Sequence, residues 1–207
     1  MSFPGTNGEM EMNRMRKAGF TLIELLIVIG IIAVLLGFIF PVFQGVQDRA
    51  RKVQAKNDLT QIVTAVNAFY TEYGRYPTDQ NTDAAATYGA GATSSKFVFD
   101  ELRAKTATIN TRQIVFISPP EDTSLGGPKG KIGSDGQFHD PWSSAYAFRI
   151  DADYDNQVPN PYGNNKGAGV DPVRQGVIGW SLGKDQTIGT KNGSSDFTGS
   201  DDVISWQ

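Results

Sequence analysis

The sequence predicts an α+β chain in which one long N-terminal helix packs on a small, largely antiparallel sheet. Three observations carry that prediction. An apolar run begins at Phe20, a helical period continues beyond it to about Tyr73, and short stretches rich in β-formers are confined to the second half of the chain. Residues 1–19 read as a polar leader, 20–43 as an apolar membrane-length helix, 44–76 as its amphipathic continuation and 77–207 as a globular head.

Phe20 to Phe43 contains only apolar residues, glycines, Thr21, Glu24 and Pro41. About 20 such residues span a bilayer core as a helix. Arg14, Arg16 and Lys17 stand directly before the run, so the positive-inside tendency holds the N-terminus in the cytoplasm and exports the head. Past Phe43, Val46, Ala50, Val53, Leu59, Ile62, Val63, Val66, Phe69 and Tyr73 recur at steps of three and four. The helix from Thr21 to about Tyr73 would be on the order of 80 Å long. Pro41, with Gly37 and Gly45 nearby, is expected to kink or loosen it. Asn57, Asp58 and Gln61 fall on the face opposite Leu59, Ile62 and Val66, which makes that stripe a packing face. Tyr73-Gly74-Arg75-Tyr76-Pro77 supplies the stop.

In the head, 81–95 is a Thr, Ala, Gly and Ser segment without periodicity and reads as a surface loop. Phe97 to Lys105 reads as a short helix. Ile114 to Ser118, Ala145 to Asp151, Val177 to Ser181 and Val203 to Trp206 read as strands. Asp135-Gly136 marks a tight turn between Lys131-Ile132 and Phe138.

Composition narrows the function classes. The chain has 207 residues, no cysteine and a net charge of −3; without the leader it keeps 16 basic and 20 acidic residues, net −4. That balance argues against a nucleic-acid footprint, which wants a basic face. His139 is the only histidine, with no arrangement around it for a triad or a zinc site. No residue is assigned a catalytic role. Asp151-Ala152-Asp153-Tyr154-Asp155-Asn156 begins like a calcium loop, but its twelfth position is Tyr162 and not a bidentate Glu. It reads as a polar turn, with a weak second ion site as the alternative.

The leader is polar and the apolar run follows it, the reverse of a secretory signal peptide. Its junction, GFTLIE, resembles the site of prepilin peptidase, and the chain resembles the type IV pilin superfamily, whose pilin-like fold is the long helix on a sheet predicted above. The resemblance implies cleavage between Gly19 and Phe20, N-methylation of Phe20, and a role for Glu24 in assembly. A lone carboxylate in hydrocarbon costs on the order of 2.5–3.5 kcal/mol or more. The new amine of Phe20 on a neighbouring copy offsets that cost in a helical homopolymer. YGRYPT at 73–78 and Asp140-Pro141-Trp142-Ser143-Ser144-Ala145-Tyr146 resemble segments of the major pseudopilin of type II secretion, although Ser144 and Ala145 depart from its glycine and proline. Trp142 and Tyr146 are expected to fill core.

Trp180-Ser181-Leu182-Gly183-Lys184-Asp185 and Gly199 to Trp206 resemble the pair of segments that holds calcium in that family. The resemblance implies Asp185, Asp201 and Asp202 as side-chain ligands with the backbone carbonyl of Leu182. The fifteen residues 186–200 make a longer spacer than the family's, and solvated acids on turns are the alternative. Calcium accepts such mixed oxygen donors, and a chain without disulfides needs another clamp for residues 183–207. The implied partners are other copies of the chain, prepilin peptidase, an inner-membrane assembly platform, minor pseudopilins and, before assembly, membrane lipid. The implied localisation is the inner membrane, single pass with a periplasmic head, leading to a periplasmic filament. A surface pilus subunit is the nearest alternative and a membrane-tethered calcium-dependent enzyme a third.

Overall fold

A computed structural model describes residues 19–122, 128–164, 166–189 and 196–207, with the backbone alone for 38–44. Residues 1–18 of the leader, including Arg14, Arg16 and Lys17, lie outside the described residues, as does the side chain of Pro41. Two compact units divide the chain, Met1–Val46 and Gln47–Gln207. Helix α1, Leu22–Tyr73, runs through both and stays helical across Pro41.

In the first unit the large apolar side chains of the helix are exposed among the described residues. Phe20 is 78% exposed and Leu22 87%. Among the described residues, no helix is long and apolar enough to cross a membrane. The expected span, 20–43, includes residues 38–43, whose side chains are not described.

In the second unit α1 stops because Gly74 adopts φ +66° and donates its N–H to Tyr70 O at 2.8 Å, a left-handed C-cap that glycine adopts without penalty. Its apolar stripe of Ala55, Leu59, Ile62, Val66 and Phe69 is buried. Val46, Ala50 and Val53 carry the same period but are exposed, so the packing face starts later than the sequence predicts. Asp58 corrects a second expectation. Placed by its period on the polar face, it is buried, because Tyr146 OH reaches its Oδ2 at 2.8 Å.

Four antiparallel strands follow in sheet order: β1 (Thr87–Tyr88), β2 (Ala147–Ile150), β3 (Val177–Ser181) and β4 (Val203–Ile204). Side chains alternate across this sheet. Phe148, Ile150, Val177 and Val203 join the core built on α1, while Ala147, Ile178, Trp180 and Ile204 join a second core with Val158, Tyr162, Ala168 and Val173. The sheet is therefore covered on both faces, which is why all five β3 residues are buried and the strand lacks a polar alternation. Gly179 faces α1; a Cβ there would sit 3.1 Å from Leu59 Cδ2.

Helix α2 spans Lys96–Leu102, a little earlier than predicted. The segment 81–95, expected to be a surface loop, contains β1 and the buried Ala86 and Tyr88. Ile114 to Ser118 forms no strand. Phe116 and Ile117 donate their N–H groups to Leu102 O, and Ile114 O accepts from the Asn110 amide. The Asp135-Gly136 turn forms as expected: Ile132 bridges Phe138, and Gly136 takes φ +77°.

Candidate functional site

The residues after β3 and before β4 meet at one end of the sheet. Gly183 makes that meeting possible. It adopts φ +65°, and a Cβ there would lie 2.7 Å from Asp201 O, so only glycine permits so close an approach. Asp185, Asp201 and Asp202 each offer a carboxylate oxygen, and these atoms lie within 4.8 Å of one another. The three acids that the sequence resemblance singled out are thus brought together, although residues 190–195 of the long spacer lie outside the described residues.

One oxygen of each carboxylate is held in place. Asp201 Oδ2 accepts the N–H groups of Lys184 at 2.7 Å and Asp185 at 3.2 Å. Asp185 Oδ1 accepts from Thr187 N and Oγ1 at 3.0 and 2.9 Å. Asp202 Oδ2 accepts from Tyr162 OH at 2.8 Å and Gly189 N at 2.7 Å. The second oxygens of Asp185, Asp201 and Asp202 accept no hydrogen bond among the described residues. That of Asp202 is sealed from solvent as well, on a residue only 6% exposed. Burial pushes the Asp202 carboxyl up to about 6 against the pull of the Gly189 and Tyr162 donors, and the charges of Asp201 and Asp185 add to the rise.

A buried, partnerless carboxylate oxygen is costly. An all-oxygen set of three acids on neighbouring loops fits a hard cation of calcium's size, which accepts six to eight oxygens in irregular geometry. Leu182 directly follows β3 and packs its side chain on the second core.

Two supports of this corner escaped the sequence reading. Asp140, fully buried, accepts from Ser181 Oγ at 2.6 Å and from the N–H groups of Trp142 and Ser144, both at 2.9 Å; Ser181 Oγ in turn accepts from Gly183 N at 3.2 Å. The segment read as core filler thereby also sets the turn into the acidic loop. Trp142 and Tyr146 do fill core, at 9% and 0% exposure. Lys56, on α1, donates to Ile204 O at 2.8 Å, to Ser205 O at 3.3 Å and to Gln207 O. It fastens the C-terminal strap without a disulfide.

At the N-terminal motif, Glu24 Oε2 accepts from Thr21 N at 2.9 Å and Thr21 Oγ1 at 2.8 Å, and Thr21 Oγ1 accepts from Glu24 N at 3.3 Å. This is a capping box, written in the sequence as T-x-x-E before an apolar run. Gly19 and Phe20 precede it, exposed.

Asp151, Asp153 and Asp155 also cluster, joined by Asp83 from far along the chain. Their oxygens cap a turn: Asp151 accepts from the N–H groups of Asp155 and Asn156, and Asp155 from Gln157. His139 bridges Asp135 and Ser143 O within its own turn.

Residues 14–40 match the model of the prokaryotic N-terminal methylation motif. Over 61 residues the chain is 43% identical to the type IV major pilin protein PilA of Myxococcus xanthus, covering 30% of this chain and 28% of that protein. Over 74 residues it is 32% identical to the type II secretion system core protein G of Aeromonas hydrophila, covering 35% and 52%. The type IV major pilin protein PilE1 of Neisseria gonorrhoeae is 34% identical over 103 residues, 48% of this chain and 56% of that protein. The chain spans about half the length, or less, of the first curated relatives it matches. No solved structure matches it.

Proposed function

We infer, from the premise that the chain is of the type IV pilin superfamily and resembles the type II secretion core protein G, that it is the structural filament subunit of a type II secretion system. Prepilin peptidase cleaves between Gly19 and Phe20, and the new N-terminus is methylated. Residues 20–43 hold the subunit in the inner membrane with the head in the periplasm. An assembly platform and minor pseudopilins then bring copies together into a periplasmic helical homopolymer. Asp185, Asp201 and Asp202, with the carbonyl of Leu182, bind calcium and close the C-terminal loop of a chain that has no cysteine. The observation that carries the secretion reading is the convergence of the three carboxylates beside the sealed, partnerless oxygen of Asp202. It unites the two segments that resemble the calcium pair of the major pseudopilin.

The second reading, a surface pilus subunit, is favoured by the likeness to the two type IV major pilins. Deleting the gene separates the two. As a secretion subunit, its loss strands exported proteins in the periplasm and leaves surface motility and adhesion unchanged, with rescue by the intact chain. Normal secretion with lost surface pili refutes the secretion reading and leaves the pilus.

A further inference from the structure

A cavity of about 580 Å³ lies where the sheet face turned away from α1 meets the loop after β3. Arg149, Trp180, Ser144, Ala145, Leu182 and Ile188 line it. Its size falls within the range of about 300–1,000 Å³ typical of small-ligand sites. Among the described residues Arg149 is the one charged residue in its walls, on a chain that is acidic overall.

Arg149 is oriented before any ligand arrives. Its Nε donates to Thr87 Oγ1 at 2.7 Å, and its Nη1 donates to Pro159 O at 2.6 Å. Those bonds use two of the five guanidinium N–H groups, and Nη2 has no acceptor among the described residues. The charges of Asp83 and Asp171 reach Arg149, yet neither forms an ion pair with it among the described residues. Trp180 Nε1 makes no hydrogen bond among the described residues either. Arg149 Nη2 and the Trp180 indole N–H belong to residues that line the cavity beside Ala145, Leu182 and Ile188, and together they suit an acceptor attached to an apolar body. A planar carboxylate matches the guanidinium fork.

We propose that this cavity is a binding site for a small carboxylate bearing an aliphatic group, either free or at the C-terminal end of a peptide. Arg149 and Trp180 hold the carboxylate, and Ala145, Leu182 and Ile188 receive the aliphatic part. This site rests on the packing of the head and not on the filament reading.

The test is a titration of the full chain in detergent with N-acetyl-leucine, with N-acetyl-leucinamide and with the peptide acetyl-Ala-Ala-Leu, reading the indole N–H resonance of Trp180 and the Nε–H resonance of Arg149. The acid is expected to give saturable shifts at least tenfold tighter than the amide. Tighter binding of the peptide than of N-acetyl-leucine identifies a peptide end as the source; equal or weaker binding identifies the free acid. Ala145→Leu, which fills the cavity, is expected to weaken binding at least tenfold, and Arg149→Lys at least fivefold. No saturable shift, equal response to acid and amide, or unchanged binding in Ala145→Leu overturns the proposal. If Arg149→Lys fails to fold, the amide and Ala145→Leu decide it.

Discussion

Asp202 is where the metal reading meets a measurable penalty. Its carboxyl is pushed up to about 6 by burial, against about 3.9 in an unfolded chain. A carboxyl raised on folding favours the fold below the unfolded value, and that contribution is lost as pH rises through the folded one. The metal-free chain should therefore lose stability between about pH 4 and 7, by an amount on the order of 3 kcal/mol for a two-unit shift. On the proposed reading calcium reverses the balance, because a cation favours the charged form. At 100 times its dissociation constant it should add roughly 2.7 kcal/mol at neutral pH. Asp202→Asn should flatten the pH dependence and abolish most of the calcium gain while the sheet stays folded. Thermal melts with calcium and with chelator check this; an equal calcium shift in the Asn variant would remove Asp202 from the site.

Directly after α2 the segment 106–110 is organised by a single side chain. Glu101 is fully buried, and its two oxygens accept from Thr106 Oγ1 at 2.7 Å, Thr108 N at 3.0 Å, Ile109 N at 3.0 Å and Asn110 N at 2.6 Å. Burial alone would raise its pKa, but these donors outweigh burial and lower it. A depressed carboxyl stabilises above its unfolded value, about 4.3, and that stability is lost as pH falls through the folded one. Glu101→Gln turns an amide donor toward N–H donors and should cost about 2–4 kcal/mol. Amide exchange should quicken at 103–117 and not in β2 or β3; uniform quickening would mean that Glu101 supports the whole head. No pattern in the sequence announces this residue. Its partners are set by a loop that closes only in three dimensions. The same limit explains β1, two residues in a Thr- and Ala-rich segment that pair because Gly89, at φ +92°, passes against Tyr146 O where no Cβ fits. It explains Ile114 to Ser118 too, β-formers whose backbone is taken by Leu102 and Asn110. What was legible was periodic or local: the apolar stripe of α1, the glycine that ends it, the Asp135-Gly136 turn and strand β3. The acids at 185, 201 and 202 were found through resemblance, whereas Tyr162 and Gly189, which hold Asp202, carry no local signal.

At the scale of the whole molecule, assembly on the proposed reading turns on a carboxylate that has two tasks. Glu24 Oε2 is already committed to Thr21 at the start of α1, and an uncapped helix start costs about 1 kcal/mol. On the proposed reading, cleavage after Gly19 creates a cationic amine on Phe20, and Glu24 on another copy neutralises it inside an apolar core where an unpaired charge costs several kcal/mol. Substitution separates the tasks. Glu24→Gln keeps an acceptor for Thr21, since glutamine also serves in a capping box, but it cannot neutralise an amine; Glu24→Ala loses both. The mature wild-type chain should begin with methylated Phe20 by intact mass. Both variants should still be inserted and cleaved, because neither change makes the apolar run less apolar. Filament yield should fall at least tenfold for Gln as well as for Ala, the two being alike if charge pairing governs assembly. Filaments of Glu24→Gln at wild-type yield, with none from Glu24→Ala, would assign Glu24 to the helix cap alone and leave the Phe20 amine to another partner.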